Sequence, residues 1–153
     1  MNKRIIISII GKIILTEVIL MIPALLISLA YQDGDALGFI FTMIPAAIVG
    51  AFFTRVRQSE KRMSSRDGYF IVAAAWIVIS LIGAAPLYLS DGFDSYWNAL
   101  FEIVSGFTTT GASILSAPEN LGHGVLFWRS FTHWIGGMGV LVFVMMVMPM
   151  END

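Results

Sequence analysis

Residues 105–113 read Ser105, Gly106, Phe107, Thr108, Thr109, Thr110, Gly111, Ala112, Ser113, a polar, glycine-containing run set inside hydrophobic sequence. Three consecutive threonines favour extended backbone and Gly111 permits positive φ, so the run can aim successive carbonyl oxygens at one axis. Carbonyl oxygens so arranged replace the hydration shell of a cation, which is the chemistry of a potassium-selective filter. Thr109, Thr110, Gly111, Ala112 and Ser113 are therefore the candidate ion-binding residues, with potassium held through the backbone carbonyls of Thr109, Thr110 and Gly111. Potassium would be a substrate, and no covalently bound cofactor is expected.

Two charged residues are candidates for holding that strand. Glu102 lies within a short apolar segment just before it, and Arg129 at a matching depth in the segment after it. As a carboxylate, Glu102 can accept bonds from loop amides or pair with the Arg129 guanidinium. A structural brace is favoured over direct ion binding, because potassium filters are built mainly from backbone carbonyls. An intramembrane enzyme using Glu102 and His133 as acid and base is the weakest reading, since no nucleophile motif or metal-ligand set accompanies them. The sequence has no cysteine and only two histidines, His123 and His133, so disulfides and thiolate or histidine metal sites have little to draw on.

The elements that must position these residues are written in the hydropathy. Of 153 residues, 57% are hydrophobic and 13% charged, and the mean hydropathy is +0.79. These values fit an integral membrane protein and leave no room for a separate soluble domain. Residues 5–30, 37–53 and 69–89 are each long enough to span a hydrocarbon core of about 30 Å at about 1.5 Å per residue. A fourth long span runs over 124–148. Between the last two lies 94–106, whose thirteen residues would reach only about 20 Å as a helix. Such a segment should enter the membrane and turn back. If it descends from outside, its carboxyl end carries roughly half a negative elementary charge toward the membrane centre and stabilises a dehydrated cation. Taken alone, the threonine-glycine run would pass for a simple interhelical loop; the order of span, short helix, glycine strand and span favours the pore reading.

The first thirty residues carry some features of a secretory signal, with Lys3 and Arg4 before an apolar region and Ser28, Leu29, Ala30 resembling a cleavage site. The apolar region is too long for that, and Lys12 and Glu17 interrupt it, so a membrane helix is expected. Lys3, Arg4, Lys12, Arg55, Arg57, Lys61, Arg62 and Arg66 fall at the start and in the second connection, whereas Asp33, Asp35, Asp91, Asp94 and Glu119 occupy the others. Positive residues stay cytoplasmic. The amino terminus and the basic loop are then inside, the 31–36 connection outside, and the tail from Met150 to Asp153 inside. The basic loop is read as a topology determinant, not as a nucleic-acid or lipid-recognition patch.

The segment from Ala99 to Ser113, followed by Trp128, Arg129, Ser130 and by Trp134, Ile135, Gly136, Gly137, Met138, Gly139, resembles the first pore repeat of the Trk/Ktr/HKT superfamily, closest to its TrkH-type potassium uptake subunits. The likeness spans roughly 69–149, and the two preceding helices are similar to the extra amino-terminal pair of TrkH-type proteins. It implies an all-α integral membrane fold in three parts: a helix pair at 1–56, a cytoplasmic basic loop at 57–68, and a helix, re-entrant pore-loop, helix repeat at 69–153. In that family four such repeats surround one pore, and each filter-strand glycine matches Gly111 here. One strand cannot encircle an ion, so the chain resembles the amino-terminal part of a longer transporter of the inner membrane. The resemblance further implies three more pore repeats as partners, a dimer of pore subunits, and a cytosolic nucleotide-binding regulatory subunit of the TrkA kind; membrane lipid is expected around the helices and no nucleic acid. A small homo-tetrameric cation channel is the alternative. His133 stands where the family more often carries glutamine.

In the final span, Arg129, His133 and Gly136 or Gly137 share a face by their spacing. The glycines there, with Gly139, are read as helix-packing positions more readily than as a gating hinge. Trp97, Trp128 and Trp134 read as interfacial belt residues, and Met145, Met146, Met148 and Met150 as contacts to lipid or neighbouring helices. Glu17, near the middle of the first span, costs about 2.5 to 3.5 kcal/mol on insertion scales and must face protein, water or a partner, while Lys12 lies near enough to the inner end to snorkel.

Overall fold

The computed structural model describes residues 3–56 and 65–147. The connection at 57–64, with Arg57, Lys61 and Arg62, and the end at 148–153, with Met148 and Met150, lie outside the described residues, as do the side chains of Met145 and Met146. Within the described residues the fold is all α: α1 (Lys3–Tyr31), α2 (Ala36–Thr54), α3 (Ser65–Leu89), α4 (Tyr96–Phe107) and α5 (His123–Val147), with a single 3-10 turn at Pro118–Asn120 before the last helix. The first three are long and apolar enough to cross a membrane, and the 25 residues of α5 reach about 38 Å. Leu26, Phe41, Ile48 and Phe52 point outward and are more than half exposed, as helices surrounded by hydrocarbon require.

The ends of the elements follow from local chemistry. The apolar run of the third span starts at Tyr69, but α3 begins at Ser65, and Asp67 in its first turn sits where the helix dipole favours an acid. The short helix begins at Tyr96, two residues after Asp94. Ser95 takes extended backbone and its side chain accepts the Trp97 N–H at 3.2 Å, satisfying one of the unpaired donors of the first turn. Twelve residues of α4 cover about 18 Å, too little to cross a hydrocarbon core of about 30 Å.

α1 and α2 form the most closely packed pair. A Cβ at Gly11 would lie 2.6 Å from Phe53 Cβ and 2.8 Å from the Gly50 carbonyl, so only glycine lets these backbones touch, the device by which membrane helices associate without a hydrophobic drive. At the far end of this hairpin the connections gather. Ser90 Oγ donates to the Asp35 carbonyl at 3.3 Å, and the His123 N–H donates to Asp33 at 2.8 Å. The carboxyl ends of α1 and α3 and the amino ends of α2 and α5 therefore meet on one side. α4 starts from that side too, and its other end is buried against α5 at Phe107. The central core joins Met21, Phe39, Leu87, Ile103, Phe107 and Trp128, tying the amino-terminal pair to the helices that carry the candidate site.

Candidate functional site

α4 ends in two left-handed residues separated by one. The Thr108 N–H donates to Val104 O at 2.9 Å, and the Thr109 N–H to Gly106 O at 2.9 Å. Thr109 has φ 56° and Gly111 φ 74°. Positive φ at Gly111 uses the freedom of glycine. At Thr109 it departs from the extended backbone that a threonine run favours, and a β-branched residue there stores roughly 1–3 kcal/mol, held in place only by its surroundings. The surrounding device is the Ser105 carbonyl, which accepts from both Thr110 N at 2.9 Å and Gly111 N at 3.4 Å.

From Gly111 the chain runs back along α4. Ser105 Oγ donates to Ala112 O at 2.6 Å. One helical turn earlier, Glu102 Oε1 accepts from Ser113 Oγ and from the Ile114 N–H, both at 2.7 Å, and Glu102 Oε2 accepts from Arg129 Nε at 2.7 Å. Glu102 is fully buried, with three donors shared between its two oxygens. Charge-assisted bonds of this kind are the strong ones. The carboxylate thus connects three elements: α4 on which it stands, the strand in front of it, and α5 behind.

The structure therefore sorts the sequence-derived residues. Glu102, Arg129, Ser113 and Ala112 are brought together into one hydrogen-bonded assembly. The Ala112 carbonyl and the Ser113 hydroxyl are turned toward α4 by these bonds, because Ser105 and Glu102 claim them. Thr109, Thr110 and Gly111 stand on the open face, within a stretch from 108 to 114 that is exposed throughout. Thr108 and Thr110 hydroxyls share a 2.8 Å bond. His133 is not joined to Glu102: its Nδ1 lies 3.0 Å from the Arg129 carbonyl, and with Glu102 already satisfied no acid-base pair is assembled.

The glycines of α5 divide by position. A Cβ at Gly136 would collide with the Phe107 carbonyl, so the end of α4 rests directly on α5 at this point. At Gly137 the nearest atom would be Thr109 Cγ2 at 3.9 Å, and that residue carries no packing requirement. Trp128 corrects the interfacial reading: it is fully buried, its Nε1–H donates to Gly83 O at 2.9 Å, and its ring meets Phe107 edge to face. The reason is that its face of α5 turns into the core, with the indole N–H given a partner as burial demands. Trp97 and Trp134 are 72% and 59% exposed.

Three residues that sequence reasoning missed support the site. Ser105 sits three positions after Glu102 on the same face of α4, a spacing that signals a shared role once the brace is recognised. Asp33 and Asp35, two and four residues past the end of α1, cap α5 from a distance. Asp35 Oδ2 accepts the Val125 N–H at 3.0 Å, while Oδ1 accepts from Ser28 Oγ. Asp33 Oδ2 accepts both the His123 N–H and, at 2.7 Å, its Nδ1–H, and Tyr31 stacks on the His123 ring at 4.0 Å. The N–H of His123 and then its ring hold the Asp33 carboxyl below the usual carboxylate range. The amino end of α5, whose orphan donors and positive dipole favour acids, is thereby fastened to the α1–α2 connection.

The cation transport protein family TrkH matches residues 36–152. The Trk system potassium uptake proteins TrkH of Halomonas elongata and of Escherichia coli K12 are each 34% identical over 151 residues, 97% of this chain and 31% of their own length. An uncharacterized cation transporter of Methanocaldococcus jannaschii is 36% identical over 94% of this chain and 30% of its own. Among solved structures, the crystal structure of the potassium transporter TrkH from Vibrio parahaemolyticus superposes with a TM-score of 0.89 at 32% identity, covering 100% of this chain and 34% of that one. The chain thus spans about a third of the length of these relatives, and it belongs to the TrkH family of cation transport proteins.

Proposed function

We propose that this chain is the amino-terminal part of a Trk-type potassium transporter and supplies one of four strands of its selectivity filter. The observation that carries the reading is an irregular, exposed stretch at 108–114, set between membrane-length helices and braced from behind by Glu102, Ser105 and Arg129. Non-helical backbone at membrane depth is tolerated only where it is buried in protein or lines a water-filled path. The open face therefore turns to an ion pathway completed by three further repeats, with the carbonyls of Thr109, Thr110 and Gly111 toward the ion. The carboxyl end of α4 adds its partial negative charge at the same depth.

The same reading places the protein in the inner membrane with its amino terminus in the cytoplasm, on the strength of Lys3, Arg4 and the basic 55–66 connection. Its partners on this reading are a second pore subunit and a TrkA-type cytosolic regulator, as the likeness of its pore repeat to TrkH-type subunits implies, and the relatives' names place those proteins in a Trk system. The chain performs no covalent chemistry. The test is Gly111→Ser in the full-length protein, assayed by potassium-limited growth and by cation flux. Serine at φ 74° is strained, turns a carbonyl from the axis and admits sodium. An unchanged preference for potassium over sodium would remove Gly111 from the filter.

A further inference from the structure

Glu17 is a buried acid of a membrane-length helix and is not used by the site. It stands near the middle of α1 and is 4% exposed, and neither of its carboxyl oxygens has a hydrogen-bond partner. Buried carboxylates in folded proteins are paired or hydrogen-bonded, and one that is neither gives up its charge before it gives up its burial. Glu17 is one of the residues lining a half-open cavity of about 180 Å³. Ile79 of α3, Phe107 of α4, and Trp128 and Ile135 of α5 line it, and none of the lining residues besides Glu17 is charged or titratable. Arg129, the one arginine or lysine of α5, is engaged by Glu102.

The position of the carboxyl relative to the candidate filter is set at Gly83. A Cβ there would lie 3.1 Å from Glu17 Oε1, 3.2 Å from Ile103 Cγ2 and 3.3 Å from the Phe107 ring. The bare backbone of Gly83 is thus the point where α1 and the buried face of α4 converge, and its carbonyl also holds Trp128. Phe107 is the last residue of α4, directly before the threonine run. A charge appearing on Glu17 would have to draw water into the cavity beside Phe107.

We propose that Glu17 is a proton-binding site, carrying its proton in the folded protein and releasing it to water admitted to the cavity, so that proton occupancy there modulates the strand after Phe107. On release the carboxyl O–H bond breaks, the proton passes to water, and the carboxylate keeps the electron pair. The ligand is the proton itself, and the cavity with its single acid is the binding site. The modulation rests on the filter reading given above; the proton site does not.

The full-length protein in membranes tests both parts by infrared spectroscopy and by potassium flux as a function of pH. The wild type should show a neutral-carboxyl stretching band near neutral pH that shifts in heavy water. That band should be lost in Glu17→Gln and displaced in Glu17→Asp. Flux should vary with pH in the wild type and lose that variation in Glu17→Gln, which mimics the protonated form. Absence of a band removed by Glu17→Gln overturns the proton site. So does assembly of Glu17→Asp with failure of Glu17→Gln, which would mean that a charged carboxylate meets a cationic partner. An identical flux profile in wild type and Glu17→Gln overturns the modulation, whereas a protein with the band and no potassium flux at all would leave the proton site standing and sink the filter reading instead.

Discussion

Glu102 and Arg129 stand 27 residues apart in sequence and are joined by a 2.7 Å bond, Nε to Oε2, with the carboxylate fully buried. The other carboxylate oxygen holds the strand at Ser113 and Ile114. Loss of either partner leaves an uncompensated charge inside the protein, so Glu102→Gln and Arg129→Gln should each destabilise by about 3–5 kcal/mol and lower potassium uptake. Because the two are in contact, the double variant should cost less than the sum by at least about 1 kcal/mol. Thermal unfolding of the four proteins measures the cycle; additive losses would mean that Glu102 holds the strand at Ser113 and Ile114 without help from Arg129.

Ser105 Oγ fixes the direction of the Ala112 carbonyl. Ser105→Ala should cost only about 1 kcal/mol of stability, the worth of one hydrogen bond. Its larger effect should be on selectivity, because the carbonyl after Gly111 is freed to rotate. Competition of sodium with potassium in flux assays is the readout, and a variant with wild-type preference would make the Ser105 bond a matter of folding only.

Gly136 and Gly137 provide a paired comparison. A methyl at Gly136 meets the Phe107 carbonyl, carbon and Cα, whereas one at Gly137 approaches nothing nearer than 3.9 Å. Gly136→Ala should therefore destabilise by about 1–3 kcal/mol through overpacking and displace the end of α4, with uptake reduced. Gly137→Ala should stay within about 0.5 kcal/mol of the wild type. Equal defects would point to bending of α5, not packing, as the role of these glycines.

Asp33 gives a pH prediction with a definite sign. Its carboxyl is held below its ordinary value by His123, so the folded state favours the ionised form. That stabilisation is complete above the unfolded value of about 3.9 and is lost as pH falls through the lower, folded value. Asp33→Ala should lower the melting temperature at neutral pH, and the gap to the wild type should close as the medium is acidified below about pH 4. A gap that stays constant across that range would show that the bond to the His123 backbone does not depend on charge.

Orientation is open to a labelling experiment. Glu119 is exposed within the turn before α5, and Arg66 is exposed at the start of α3, at opposite ends of the helices. Cysteine at Glu119 should react with an impermeant reagent in intact cells, and cysteine at Arg66 only after permeabilisation. Asp35 faces the same side as Glu119 but is buried and caps α5, so it is a poor labelling position.

Length and hydropathy determined the number and order of the helices, because a bilayer sets how many apolar residues a crossing needs and a thirteen-residue segment cannot meet it. The threonine-glycine run was legible for a local reason: its residues oppose helix whatever surrounds them. Sequence also named Glu102 and Arg129, since charges at matching depth in hydrocarbon must find each other or another partner. Tertiary structure alone decided the rest. The left-handed Thr109, the Ser105 bond to Ala112, the rest point of Phe107 on Gly136 and the burial of Trp128 all depend on which faces of α4 and α5 meet. Asp33 and Asp35 cap a helix that begins some 90 residues later, and Glu17 lines a cavity shaped by α3, α4 and α5. Periodicity along one chain tells which residues share a face, but the partner of that face is chosen by packing between elements distant in sequence.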